Sequence, residues 1–474
     1  MRLPAGLRFA VAASLVLTLA AFNLCFRLGS EPVAQWDESL YATSALEMIG
    51  SGDWIGTTFN GQLDYYNSKP PLNVWLLAAA FKLGGINLIA LRAASVAAAW
   101  LTVLVLMLWA RRFAGEAVAV MSGLVLATSF GFLHIHSGRS GNPDAMMSLL
   151  LLLVVVVSST SERHPWRIAW LGPLLCGVFM LKGLAVLLPL AYLAAVAVVR
   201  KRKGKSLAWP PALAAAGLLV LPAAAWALAR WQVDGWQFLQ LLLTQDLYLA
   251  ATQPLDGHAG SLLYYANVLQ RYQYDWLLAA FVATVLAWRN VRAGVASLAG
   301  VVRTGEGPVF ALVVWSAVTL TVITTMQTKL SWYANPVYPA FALGVAWLLG
   351  KGLSIDCGPR RAVAAVAIVS LLVAQGKLMW HPLQKHRLEG TVQGLIMAVQ
   401  NDVSGRSVYR NAWPLDDAFV VRGIGGAFPA LATDVTSFLE VGAEGDLLVA
   451  DADLWHPNLE RLLASGRYGI FRRR

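Results

Sequence analysis

Long apolar runs separated by short polar segments dominate residues 1–380 of this chain. A helix needs about 20 mostly apolar residues to cross a bilayer. The runs that approach this length predict an all-α polytopic membrane protein with about eleven or more spanning helices. They lie at about 8–27, 90–110, 117–135, 145–160, 168–182, 183–199, 207–229, 274–288, 308–327, 332–350 and 361–380.

Two stretches between the first two predicted spans are too short to cross. Leu72 to Leu83 follows Lys69-Pro70-Pro71, and Glu38 to Ile49 has the polarity of a short amphipathic helix. Both are predicted to lie as helices at the outer membrane interface, which makes 28–89 one long external segment. Loops of this length are usually functional.

The charge content supports the membrane class and orients the chain. Only 13% of residues are charged, 58% are hydrophobic and the net charge is +11. In a soluble protein that charge would suggest nucleic acid, but here the cations follow the positive-inside rule, so no nucleic-acid partner is expected. With a cytoplasmic N-terminus, the predicted cytoplasmic loops contain Arg2, Arg8, Arg111, Arg112, Arg163, Arg167, Arg200, Lys201, Arg202, Lys203, Lys205, Arg289, Arg292, Arg303, Lys351, Arg360 and Arg361.

The composition becomes polar from about His381 onward. Short β-like runs at 408–409, 419–421, 447–449 and 468–471 alternate with helix-like stretches. The pattern predicts a membrane domain over 1–380 and a small external α/β domain over 381–474.

Two adjacent carboxylates, Asp37 and Glu38, follow the first predicted span. Asp37 could be the N-cap of the next helix, with Glu38 favoured by the helix dipole. Alternatively, the pair could serve as a general base or as cation ligands beside the membrane. Asp144, which follows a Gly-rich external loop and precedes a span, leaves the same two alternatives open.

Four cations lie on the predicted external side beside spans. Any one of them alone is explained as a snorkelling or solvated charge. Together with the carboxylates they describe a site that could hold a lipid phosphate while deprotonating an acceptor, since charges beside the membrane are costly. They are Lys69, Arg139, Lys182 and Lys329.

The aromatic residues and the possible metal ligands indicate a functional site less clearly than the charged residues do. Tyr333 falls at a predicted interface, where aromatic belts are the ordinary explanation. Asp246 and His258 in the external segment 230–273 could join Asp37 on a divalent ion, but no ligand spacing supports this, and a loop histidine is the simpler reading. No cofactor is firmly predicted; a divalent metal ion stays open.

A set of motifs over about residues 30–350 resembles the superfamily of aminoarabinose lipid A transferases and protein O-mannosyltransferases. Their order and spacing are specific. The matching residues are Trp36-Asp37-Glu38, Tyr41-Ala42, Met48-Ile49-Gly50-Ser51-Gly52-Asp53-Trp54, Asn60-Gly61, Lys69-Pro70-Pro71-Leu72, Trp75, Arg92, Ser95, Arg111-Arg112-Phe113, Asp144, Leu181-Lys182-Gly183, Lys329-Leu330-Ser331-Trp332-Tyr333, Pro336 and Pro339.

This resemblance implies a GT-C fold and a glycosyltransferase. It implies that Asp37 is catalytic, that Asp144 supports it and that Lys69 binds the donor phosphate, with Tyr41 and Tyr333 in the substrate pocket. The chain departs from the aminoarabinose transferases in two places. In those enzymes an acidic residue precedes the lysine that corresponds to Lys69, and Ser68 stands at that position here. Gln245-Asp246 stands where those enzymes have Glu-His. These departures weaken the expectation of bound zinc and of lipid A as acceptor.

The sequence therefore predicts an inverting glycosyltransferase in a bacterial inner membrane with a periplasmic site. Its partners would be a polyprenyl-phosphate sugar donor and a lipid (lipid A or lipopolysaccharide type), glycan or protein acceptor. A transporter or flippase is the alternative, although its charges should lie near the bilayer midplane within repeated, broken helices. A third possible function is that of a catalytically inactive scaffold, in which the carboxylates only cap helices.

Overall fold

The computed structural model describes residues 4–34, 36–162, 164–206, 208–385 and 387–474, without the side chains of Ala5, Asp246, Leu247, Ala250, Asp256, Cys357 and Lys385. Helices form most of it. Those of the apolar part are α1 (Ala5–Cys25), α2 (Asp37–Ser51), α3 (Leu72–Gly84), α4 (Leu88–Ala114), α5 (Glu116–Ala127), α6 (Phe130–His134), α7 (Asp144–Thr160), α8 (Leu171–Lys182), α9 (Leu187–Arg202), α10 (Trp209–Asp234), α11 (Gln237–Leu243), α12 (Ala250–Thr252), α13 (Tyr264–Leu286), α14 (Trp288–Thr304), α15 (Gly307–Thr325), α16 (Tyr338–Leu353) and α17 (Cys357–Trp380).

Every apolar run that the sequence assigns to a span contains helix. Within the described residues, six helical segments are long and apolar enough to cross a membrane, or seven if α13 and α14, bent by 98°, form one span. The apolar helices α3, α5 and α7 are shorter. The two predicted interfacial helices are α2 and α3. The number of crossings stays a prediction.

The apolar segment 165–202 folds back on itself. Lys182, at its middle, contacts Asp144 at the start of α7 at 2.7 Å. Arg200, at its end, lies 3.9 Å from Glu162, just beyond the end of α7. Because α7 separates Asp144 from Glu162, α8 and α9 run in opposite directions along it, as the sequence predicts for two spans.

Three ion pairs that contain cations of the predicted cytoplasmic loops lie at one end of the bundle, which we call the basic end. Arg111 pairs with Glu116 at 2.6 Å between α4 and α5, Arg200 approaches Glu162, and Lys205 pairs with Glu306. The opposite end, which we call the Asp37 end, contains the starts of α2 and α7. This segregation agrees with the positive-inside pattern.

The chain ends in a five-stranded sheet with short helices, the C-terminal unit (residues 388–474). Strands β3 (Ser407–Arg410) and β5 (Leu447–Asp451) are parallel neighbours, while β7 (Tyr468–Arg473) pairs antiparallel with both β5 and β6 (Leu459–Ser465). With β4 (Phe428–Leu431) at one edge, the strand order is β4-β3-β5-β7-β6. A separate hairpin of the first external segment consists of β1 (Thr58–Phe59) and β2 (Gln62–Leu63). The elements of the unit are α18 (Val392–Ala398), α19 (Gln400–Val403), β3 (Ser407–Arg410), α20 (Leu415–Phe419), β4 (Phe428–Leu431), α21 (Val435–Val441), β5 (Leu447–Asp451), β6 (Leu459–Ser465) and β7 (Tyr468–Arg473).

Three of the four β-like runs lie in strands, but the prediction for 419–421 is wrong. Phe419 to Val421 continues helically from α20, and the three side chains are buried. They pack against α2 and α3, and Phe419 stacks on Phe81 at 5.4 Å. A short apolar run buried on all sides has no periodicity that distinguishes strand from helix. Whether 381–474 is an independent external domain stays a prediction.

Candidate active site

The helix α2 presents two carboxylates at its first turn. Trp36 is the N-cap residue, in a rare conformation (φ 65°, ψ −111°), and its side chain makes no capping bond. Asp37 and Glu38 are the first helical residues, where negative charge complements the helix dipole. Asp144 likewise follows its N-cap, Pro143. The capping alternative therefore fails for both aspartates, although the dipole still favours them.

Glu38 is fully buried and bonded on all sides. Its carboxylate accepts from Arg92 at 2.9 and 3.3 Å and from the backbone N–H of Ala34 and Gly141, both at 2.8 Å. Burial opposes the charged form, but the charge and hydrogen bond of Arg92 and the two N–H donors outweigh it, so the pKa of Glu38 is lowered. Glu38 therefore fastens α2 to α4 and to the loop before α7.

Arg92 and Arg139 use their whole guanidinium groups inside the protein. Arg139 bonds Glu31 at 3.1 Å through Nε, and its other N–H groups reach the carbonyls of Asn23, Leu24 and Phe26 and the same carboxylate. A guanidinium has five N–H donors, and all five are used here. The predicted phosphate ligand Arg139 thus secures the end of α1.

Asp37 differs from its neighbour, because 32% of its side chain is exposed. His136 approaches it, with Nδ1 4.0 Å from Oδ2. The imidazole of His136 stacks on Trp332 at 3.8 Å, and its backbone has a positive φ of 53°. Burial lowers the pKa of His136, against the raising effect of the Asp144 and Asp37 charges. His136 is therefore neutral near pH 7.

Asp144 and Lys182 form the second part of the cluster. The Lys182 ammonium donates to Asp144 at 2.7 Å and lies 5.7 Å from the ring centre of Tyr333. The Asp144 side chain is 6% exposed and that of Lys182 16%. Lys182 also acts on the titration of His136, which faces Asp37. The structure thus brings Asp37, His136, Asp144 and Lys182 together; we call them the open cluster.

Lys69 is connected to this cluster through its sequence neighbour Pro70. The residue is half-buried, and its ammonium donates to Asn67 at 3.1 Å. Pro70 packs on Gly183, since a side chain added there would meet Pro70 at 3.4 Å and Leu242 at 2.7 Å. Gly183 also has a positive φ of 55°, which favours glycine. Two cations, Lys69 and Lys182, are therefore held next to this contact.

Three other predicted residues make contacts of a different kind. The ammonium of Lys329 donates to the carbonyls of Ile323 at 3.2 Å, Thr324 and Met326, at the end of α15. His258 is exposed, and its carbonyl accepts from the backbone of Lys329. Tyr41 is buried within α2.

The proposed metal set receives no ligand cluster. The Asp246 side chain lies outside the described residues. Among those described, no group of three or more His, Cys, Asp and Glu side chains could hold a metal ion. The divalent ion stays a prediction, and no chemical step below is routed through it.

His136 is the residue that sequence reasoning missed. It lies in the loop HIHSGRSGNPD, whose arginine and aspartate were singled out instead. Its stacking partner, Trp332, lies almost two hundred residues later, so only the tertiary structure connects them. The two non-glycine residues of positive φ beside Asp37, Trp36 and His136, mark the strained backbone that active sites often contain.

Known proteins share both sequence and architecture with this chain. Residues 68–226 match the family model described as dolichyl-phosphate-mannose-protein mannosyltransferase. Over 99% of its length the chain superposes on ArnT from Cupriavidus metallidurans bound to undecaprenyl phosphate, covering 98% of that chain with a TM-score of 0.70 and 16% identity. The chain has the GT-C fold. The apo oligosaccharyltransferase of Archaeoglobus fulgidus also matches, at 11% identity and a TM-score of 0.54, over 94% of this chain and 69% of that one.

Curated sequence relatives support the same resemblance. A Pseudomonas fluorescens protein named undecaprenyl phosphate-alpha-4-amino-4-deoxy-L-arabinose arabinosyl transferase 2 is 28% identical over 376 residues, 76% of this chain. A Pseudomonas aeruginosa transferase of the same description is 32% identical over 47% of this chain and 42% of its own length. The chain spans only 60% and 63% of the first two curated relatives, both from P. fluorescens. The predicted resemblance to GT-C glycosyltransferases is confirmed.

Proposed function

We propose that this protein is an inverting membrane glycosyltransferase that moves a sugar from a polyprenyl-phosphate donor to an acceptor on the periplasmic face. The observation that carries the proposal is the open cluster. Asp37 is accessible in the same cluster as Asp144 and Lys182, whereas the neighbouring Glu38 is fully buried and fully hydrogen-bonded. The named activities of the matching relatives support the same reaction class.

In the proposed reaction, Asp37 accepts the proton of an acceptor hydroxyl. The acceptor oxygen forms a bond to the anomeric carbon of the sugar while the bond from that carbon to the phosphate oxygen breaks. The electron pair leaves with the polyprenyl phosphate, whose charge Lys182 and Lys69 stabilise. If the acceptor is itself a phosphate, no base is needed and Asp37 positions it.

The remaining residues position this chemistry. Asp144 holds the Lys182 ammonium, and Tyr333 lies beside the same ammonium. We assign Glu38 and Arg139 to positioning, because their polar groups are bonded inside the protein. Neutral His136 lies against Asp37 and fixes the adjacent loop by stacking on Trp332.

The sidedness of the proposal follows from charge. The basic end would face the cytoplasm by the positive-inside rule, so the Asp37 end would face the periplasm of a bacterial inner membrane. The donor phosphate, anchored by its lipid, would meet Lys69 and Lys182 at the membrane surface. The acceptor type, whether lipid, glycan or protein, follows from the labelled fraction in the test below.

The test measures transfer of radiolabelled sugar from polyprenyl-phosphate donors to membrane lipid, glycan and protein fractions. The purified wild type is compared with Asp37→Asn and with Glu116→Gln, a carboxylate of the basic end. Transfer by the wild type and Glu116→Gln but not by Asp37→Asn supports the proposal. Equal transfer by Asp37→Asn removes its role as base. No transfer from any donor overturns the proposal in favour of transport.

A further inference from the structure

A cavity of about 410 Å³ lies between the β1–β2 hairpin and the C-terminal unit. Its volume falls within the range of about 300–1,000 Å³ typical of ligand clefts. We call it the hairpin pocket. Its polar and aromatic lining includes Phe59, Asn60, Asn411, Trp413 and Arg422. None of these residues belongs to the open cluster.

One carboxylate holds the two walls of the hairpin pocket together. Glu47 of α2 accepts from the Gly61 backbone N–H, at 3.2 and 3.3 Å, and from Arg422 of the C-terminal unit at 3.1 Å. Asn60 and Gly61 have φ of 55° and 75°, the positive values that a tight Asn-Gly hairpin turn requires. The hairpin tip is thus fixed in place opposite the C-terminal unit.

The lining has the chemistry that sugars need. Trp413 is half-buried and its indole N–H is already given to the Ala430 carbonyl at 2.8 Å, so it can offer only ring surface. Glu47 neutralises the Arg422 charge while other guanidinium N–H groups remain as donors. Aromatic rings suit the CH faces of a neutral saccharide, and the amides and an ion pair of zero net charge suit its hydroxyls.

The hairpin pocket contacts the helix that carries the proposed catalytic base. Leu415, which lines it, accepts a hydrogen bond from the Ser39 hydroxyl, two residues after Asp37. Glu47 lies ten residues after Asp37 on the same helix, about 15 Å away at 1.5 Å per residue. A ligand that spans both positions is an oligosaccharide rather than a single sugar ring.

We propose that the hairpin pocket binds the distal sugars of an oligosaccharide-bearing acceptor while its reacting group lies at Asp37. The inference rests on the proposed transferase function, but saccharide binding needs no donor and can be measured separately. The exposed edge strand β4, with Phe428 and Leu431 in solvent, offers a different occupant, an extended peptide that would pair with the strand.

The first experiment is saturation-transfer NMR of the full-length protein in detergent with maltotriose, chitotriose and mannotriose. The variants are Trp413→Ala and Asn60→Gly; glycine keeps the positive φ of the turn and removes only the amide. Trp455→Ala, an 83% exposed tryptophan of the same C-terminal unit outside the pocket lining, is the control. Truncating an aromatic anchor should weaken binding about tenfold.

The expected result is binding of at least one trisaccharide by the wild type and Trp455→Ala, weakened in both pocket variants. In the transfer assay, the KM for a glycan acceptor should rise in the same two variants with kcat and donor KM unchanged. The proposal is overturned if the wild type binds no saccharide, or if Asn60→Gly and Trp413→Ala bind saccharide as tightly as the wild type. It is also overturned if the wild type binds only an extended peptide. Saccharide binding without sugar transfer would contradict the proposed transferase function but would support the hairpin pocket as a saccharide site.

Discussion

Two groups of charges meet at the first turn of α2, where Asp37 belongs to one group and Glu38 to the other, and they have opposite characters. In the closed cluster, Glu38 with Arg92 and Glu31 with Arg139, both arginines use all five donors on protein oxygens. In the open cluster, Asp37 is a third exposed and Lys182 donates to Asp144 alone among the described residues. Bonding capacity left over, rather than charge itself, distinguishes the residues available to a substrate.

The difference shows how a membrane protein can hold carboxylates in an apolar bundle. Burying an unpaired charge is costly, so the closed cluster matches each charge with a partner and backbone groups. That rigid frame fixes the start of α2, the loop before α7 and the end of α1. The open cluster can then expose Asp37 without moving it. Four changes would test this division of roles.

The largest effect is expected from Asp37→Asn. Loss of the general base should lower kcat about 10²–10⁴-fold, because an amide cannot accept the acceptor proton. Initial rates of sugar transfer measure the loss, and thermal unfolding in detergent should match the wild type. A large drop in unfolding temperature would instead assign Asp37 to the frame.

Breaking the closed cluster should act on stability. Arg92→Leu leaves Glu38 buried and unpaired, at a cost of about 3–5 kcal/mol in unfolding free energy. The measurement is thermal unfolding by size-exclusion chromatography after heating. The double variant Arg92→Leu with Glu38→Gln should recover part of the loss. If Arg92→Leu unfolds like the wild type but has lost transfer, the closed cluster is itself catalytic.

Removal of a cation from the open cluster should affect the donor. Lys182→Gln is expected to lower kcat/KM for the polyprenyl-phosphate sugar about 100-fold, since a neutral amide stabilises the leaving phosphate less. Lys329→Gln is the matched control, because its ammonium is bonded to carbonyls at the end of α15. Equal losses of kcat/KM in the two variants would place both lysines at the phosphate.

The smallest effect is a change in the pH profile. The pKa of His136 is lowered from 6.5, so the ring is neutral at pH 7 and gains a proton only below its usual range. Protonation would pair His136 with Asp37 and weaken the base, so kcat/KM should fall on acidification. In His136→Asn the acidic limb of the kcat/KM profile that is due to this imidazole, which lies below pH 6.5, should disappear. An unchanged profile would separate His136 from Asp37.

Much of the fold could be predicted from the sequence. The apolar runs, the two short external helices and the segregation of cations each depend on local pattern, and the corresponding segments are helical. Strands at 408–409, 447–449 and 468–471 were also predictable. The run at 419–421 was not, because its burial against α2 and α3 overrides the local pattern.

The candidate site residues were also only partly predictable from local sequence. Their identities, Asp37, Glu38, Asp144 and the external cations, were visible from residue type and position relative to the spans. Their roles were not, since Glu38 and Arg139 look as reactive in the sequence as Asp37 and Lys182. Only the packing of α1, α4 and the loop before α7 decides which charges are fully bonded.

By itself the sequence determined that this chain is a membrane protein, which end carries the basic residues and which motifs bring carboxylates to the other end. Those properties follow from composition and local periodicity. The tertiary structure alone decided that His136 faces Asp37, that Arg92 seals Glu38 and that Glu47 joins the hairpin to the C-terminal unit. These contacts join residues far apart in the chain, and the number of unused hydrogen-bond donors is a property of packing.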